Sequence, residues 1–158
     1  PRSSIDWLEN EVLPFSGQDI EQVVVAFNRQ PEMTLTRSDG DVAEPWVWGQ
    51  QPRESSLAFP GVIAQTIGQM TPLQFTDVTP YVQHQWEQQI LIGDIVFTLG
   101  DGSEIFAYMT EADEDGLHKI WFSTPDSPHW VSDWVFTLNE YQASVFQVTS
   151  EKLLQSED

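Results

Sequence analysis

The chain contains no cysteine, which excludes disulfide staples, thiolate metal sites and a cysteine nucleophile. A cysteine-free chain suits a reducing compartment, so the expected location is the cytoplasm. Basic residues are also scarce. Six Lys and Arg stand against 25 Asp and Glu in 158 residues, a formal net charge of −19; such a surface repels nucleic acid and anionic membranes and attracts basic proteins or cations. Long apolar runs are missing as well. No window approaches the ~20 apolar residues that a membrane-spanning helix requires, and the opening PRSSIDWLENEV has neither a basic n-region nor an apolar h-region. Direct contact with nucleic acid or membrane is therefore not expected.

What is present can build a core. Hydrophobic residues make up 40% of the chain, with seven Trp, nine Phe and three Tyr, far more apolar surface than a disordered acidic tail carries. The length fits one domain over residues 1–158, with 156–158 as a frayed tail. In SSIDWLENEVLPF, a Ser entry, early acids and Pro14 predict a short helix. In SGQDIEQVVVAFNRQ, the spacing of Ile20, Val23, Val24 and Phe27 predicts a second helix, although the valine run also admits a strand. MTLTR and PWVWGQQ, separated by the turn-rich SDGDVAE, predict a hairpin. GVIAQTIGQM fits a short helix with Val62, Ile63 and Ile67 on one side, and TPYVQHQWEQQ another with Pro80 in its first turn.

The second half reads more clearly. IGDIVFTLG, the turn DGS, EIFAYMT, an acidic turn and LHKIWF predict a three-stranded meander. Ile105, Ala107 and Met109 alternate with Glu104, Phe106 and Tyr108, as in a central strand covered on both faces. WVSDWVF reads as another strand. TLNEYQASVFQVTSEKLLQ reads as a closing helix, capped from Thr137 to Glu140 and carrying Leu138, Tyr141, Val145 and Val148 on one stripe. The predicted fold is α+β: an antiparallel sheet with flanking helices and a C-terminal helix.

Catalytic patterns are not evident. Glu111, Asp113, Asp115 and Gly116 fall at positions one, three, five and six of a calcium loop, but position nine is Lys119 and position twelve, where a bidentate carboxylate is needed, is Phe122. The stretch reads instead as a solvated hairpin turn. His84, His118 and His129 show no ligand spacing; His118 is expected to be exposed and His129 to stack on Trp130. The serines lack a nucleophile elbow, and GDGS lacks the lysine and glycine spacing of a phosphate loop. No metal or cofactor is expected.

Aromatic residues beside acids are the most distinctive pattern. Trp46 and Trp48 follow Asp39, Asp41 and Glu44, while Trp130 and Trp134 flank Asp133. Indole faces and carboxylates together suit a basic peptide. On strands, 46 and 48 share one face, as do 130, 132, 134 and 136, so each set forms either a binding stripe or part of the core. Glu111, Asp113, Glu114 and Asp115 form a second candidate patch.

The segment from about 92 to 146 resembles the C-terminal half of the SUKH superfamily. IGD leads into a strand, then come the turn GDGS, EIFAYMT, an acidic turn with Gly116, HKIWF, a loop ending near Trp130, and VFTLNEYQASVF in place of a closing aromatic-bearing helix. The resemblance implies an α+β fold whose members mostly bind proteins, as immunity proteins or adaptors, and implies no catalytic residues. The expected function is a non-enzymatic protein-binding module, an adaptor, assembly chaperone or immunity protein that takes a basic or extended segment of a partner. The alternatives are a nucleic-acid mimic that inhibits a DNA- or RNA-binding protein, and a hydrolase with a carboxylate-based site.

Overall fold

Strand pairing organises the described residues into a single antiparallel sheet of eight strands, in the order β3-β2-β1-β5-β6-β7-β8-β4. The computed structural model describes residues 15, 19–27, 32–37, 46–49, 57, 61–70, 73–126, 128–148 and 153–154. The predicted first helix, the turn 38–44, most of the loop 52–61 and the tail 156–158 lie outside the described residues.

The strands are β1 (Ile20–Phe27), β2 (Met33–Arg37), β3 (Trp46–Trp48), β4 (Asp77–Pro80), β5 (Leu91–Leu99), β6 (Glu104–Thr110), β7 (His118–Ser123) and β8 (Trp134–Leu138). Three short α-helices occur among the described residues: α1 (Val62–Gly68), α2 (Gln83–Trp86) and α3 (Glu140–Ser144). The predicted β2–β3 hairpin and the β5–β6–β7 meander are present. No helix among the described residues is long and apolar enough to cross a membrane.

Sheet residues alternate between a sealed face and an open one. Val23, Leu35, Phe97 and Ile105 lie opposite one another across β2, β1, β5 and β6 and are almost fully buried. Against this face pack Val62, Ile63 and Ile67 of α1, then Met70, Leu73 and Phe75, and Ala143, Phe146 and Val148. Phe15 meets Phe97 at 5.1 Å between ring centroids, and Phe75 meets Phe136 at 5.0 Å. The apolar face of α1 is the one the sequence predicts.

Four predicted elements differ. Residues 20–27 form β1 instead of a helix. A bulge between Ile20 and Gln22 allows Ile20 and Val23 both to be buried, which imitates helical spacing, and the branched valines favour the extended backbone. Pro80 does not start a helix; it ends β4 at the sheet margin, where a missing N–H costs no ladder bond. Residues 130–133 form a 3-10 turn before β8, so residues 130, 132, 134 and 136 make no single stripe. Finally, Thr137 and Leu138 belong to β8. The cap is Asn139, whose side chain accepts from the Gln142 N–H at 2.8 Å while the Gln142 side chain accepts from the Asn139 N–H at 3.0 Å. Tyr141, expected inside, is 72% exposed.

The route from β4 to β5 shapes the open face. β4 lies at one margin beside β8, whereas β5 lies three strands further in, so residues 81–90 cross over β8, β7 and β6. Tyr81 and Trp86 of this crossover pack on Trp121 of β7.

Candidate functional site

The acidic turn between β6 and β7 is held by its own aspartate. The Asp113 carboxylate accepts from the N–H groups of Asp115 at 2.9 Å and Leu117 at 3.0 Å. Backbone bonds from the Asp113 N–H to Leu117 O and from the Gly116 N–H to Asp113 O close the loop, and Gly116 supplies the left-handed backbone, with φ 78°. These bonds, first that from Leu117, lower the Asp113 pKa below the ordinary aspartate value. Asp113 is thus a structural residue of the turn, while Glu111, Glu114 and Asp115 stand exposed around it. The turn is the solvated hairpin connection that its sequence indicates.

The tryptophan pairs are placed differently from one another. Trp46 and Trp48 are 3% and 6% exposed and belong to the core. Their indoles therefore line no groove, because the shared face of β3 is the face the sheet buries. The guanidinium of Arg37 sits 4.9 Å from the Trp46 ring centroid, and its Nε–H donates to the Ile20 carbonyl at 3.0 Å, so a cation from this chain already occupies that indole. Trp48 Nε1 is buried without a hydrogen-bond partner among the described residues. Asp39, Asp41 and Glu44 lie outside the described residues. Trp130 and Trp134 are half-buried and pack against the core.

The histidines are structural in their contacts. His118, expected to be exposed, is half-buried, and its Nδ1–H donates to the Thr110 carbonyl at 2.9 Å. His129 meets the Trp130 ring at 5.0 Å, as expected; its Nδ1 accepts from the Val131 N–H at 3.1 Å, and burial lowers its pKa. His84 is exposed and lies 3.3 Å from the Gln88 amide. No group of three or more acids and histidines among the described residues is arranged to hold a metal ion. A shallow hollow at the start of α3 is lined by Asn139, Glu140, Tyr141 and Ser144.

The open face of the sheet carries a constellation that the linear pattern does not reveal. Tyr108 and Trp121 are cross-strand neighbours, their rings 5.8 Å apart, and Tyr81 stacks on the Trp121 indole at 4.2 Å. Trp121 Nε1–H donates to the Ser132 carbonyl at 2.8 Å. Beside Tyr108 sits Asp94, whose pKa is raised, first by burial and then by the like charge of Glu32. Tyr108 is raised in turn by burial and by Asp94. The alternation in EIFAYMT hints at this second covered face, but the partners of Tyr108 depend on the strand order.

The chain matches no protein-family model, no curated protein and no solved structure.

Proposed function

We propose that the chain is a non-enzymatic, acidic protein-binding module that engages a basic or extended segment of a partner protein. The observation that carries this reading is the exposed turn bearing Glu111, Glu114 and Asp115, pre-shaped by Asp113 on a chain of net charge −19. Charge of one sign steers a basic partner during encounter, and a turn already held in shape loses little entropy on contact. An adaptor, assembly chaperone or immunity protein acts in this way, in keeping with the resemblance of residues 92–146 to the SUKH superfamily, and the cytoplasm is the proposed location.

The test is affinity capture from native lysate at low and high salt with the parent chain and an E111Q/E114Q/D115N variant. The expected result is a basic protein that the parent retains at low salt and releases at high salt, and that the variant retains weakly. Equal retention by both chains overturns the role of the turn. A captured nucleic-acid-binding protein that its own nucleic acid displaces assigns the mimic reading instead.

A further inference from the structure

The open half of the sheet, away from the crossover, holds one charge in an apolar block. Register places Val24, Val96 and Phe106 side by side across β1, β5 and β6. In the next row stand Ala26, Asp94, Tyr108 and Trp121. All seven residues are half-buried and point away from the core, alternating with Val23, Val25, Ile95, Phe97, Ile105, Ala107 and Ile120. Crossover residues Tyr81 and Trp86 pack on the Trp121 end of the block.

Asp94 is the single ionisable acid in these two rows. No hydrogen bond or ion pair from a described residue reaches its carboxylate, and the charge of Glu32, which acts on it, has the same sign. A carboxylate among valines, a phenylalanine and a tyrosine gives up hydration without recovering it from a partner. Its neighbour on one side is the small Ala26, which leaves the carboxylate approachable, and on the other the Tyr108 ring, whose face favours a cation. The bases of the described surface do not serve it: Arg37 is engaged over Trp46, and Lys119 acts on Asp113.

Charge identifies the occupant. A second copy of this chain brings another −19 toward Asp94, and a nucleic acid brings phosphates; both are repelled. A protein segment with one Arg or Lys amid apolar side chains matches the block in both respects. We propose that this half of the open sheet face docks an apolar segment of a partner protein that presents a single basic side chain to Asp94. The proposal rests on the protein-binding reading above but places the anchoring contact on β1, β5 and β6 instead of the acidic turn.

The test is a two-by-two cycle. The probes are an amphipathic leucine–lysine peptide with one arginine at the centre of its leucine face and the same peptide with citrulline there, titrated by calorimetry against the parent chain and Asp94→Asn. The parent is expected to prefer the arginine peptide about tenfold, and D94N to lose that preference. Glu104→Gln, which removes an equal charge from the exposed start of β6, is the folded control and keeps the preference. An equal preference in parent and D94N overturns the proposal, as does no preference in the parent. If the turn variant, titrated in the same way, weakens binding of both peptides while D94N changes nothing, the module stands and this surface falls. If neither peptide binds the parent, this surface falls, and if the lysate capture also retains no basic protein at low salt, both readings fall.

Discussion

Tyr81 lies flat on Trp121, with ring centroids 4.2 Å apart and planes 8° from parallel. This contact fastens the crossover from β4 to β5 onto the open face, and the Trp121 indole is also held through its Nε1–H, which donates to the Ser132 carbonyl. Removing the phenol ring uncovers Trp121 and frees residues 81–90 at one end. Tyr81→Ala is expected to lower stability by about 1 to 2 kcal/mol, from lost burial and ring stacking. Tyr81→Phe keeps the stack and is expected within about 0.5 kcal/mol of the parent. Urea denaturation of both variants checks this; equal losses place the effect in the hydroxyl and not in the stack.

Gly93 faces Phe27 across β1 and β5. A Cβ added at Gly93 collides with the Phe27 ring and lies 2.5 Å from the Ala26 carbonyl oxygen. The ring can move, whereas the carbonyl belongs to the strand ladder. Gly93→Ala is therefore expected to cost about 2 kcal/mol or more through overpacking. Adding Phe27→Ala should recover only part of the loss, because the backbone contact persists. Denaturation midpoints measure both, and full recovery in the double variant contradicts the carbonyl clash.

The elements legible in the sequence are those whose partners are sequence neighbours. β5, β6 and β7 follow one another through the turns at Gly102 and Gly116, both in the left-handed region, so alternation and turn residues suffice. The hairpin of β2 and β3 is legible for the same reason. β1 is not, because its bulge moves Ile20 and Val23 onto one face at a spacing of three. β4 is not, because its partner β8 lies more than fifty residues away and nothing local in TDVTP announces a strand. The candidate site divides in the same manner. The acidic turn is local and visible, whereas the row Ala26, Asp94, Tyr108 and Trp121 exists only once β1 pairs with β5. The indoles of Trp46 and Trp48 illustrate the converse case: alternation shows that they share a face but cannot say that it is the sealed one.

The closing helix offers a direct comparison of two caps. Thr137 and Glu140 have capping-box spacing, but Thr137 is buried in β8 and the reciprocal bonds join Asn139 and Gln142. Asn139→Ala is expected to cost about 1 kcal/mol, the usual loss of an N-cap acceptor. Glu140→Ala is expected to cost less than about 0.5 kcal/mol, since Glu140 is exposed and outside the box. Thermal and urea unfolding distinguish the two; a larger loss at Glu140 restores the cap two residues earlier.

Asp94 and Asp113 should respond to acid with opposite sign. The folded-state pKa of Asp94 is raised by burial and by Glu32, so the folded state binds protons more tightly there than the unfolded chain, whose aspartates titrate near ~3.9. Its ionisation then weakens the fold at pH values above the raised folded pKa, and the penalty fades as pH falls toward ~3.9. Asp113 is lowered, first by its bond from Leu117, so its stabilisation is present above ~3.9 and is lost as pH falls through the lower folded value. Asp94→Asn should therefore be more stable than the parent at neutral pH, and Asp113→Asn less stable. Both differences should shrink on acidification. Urea midpoints between neutral and acidic pH test the pair. A D94N difference that is unfavourable or independent of pH would show that the carboxylate is already compensated within the chain, removing the reason to expect a basic partner there.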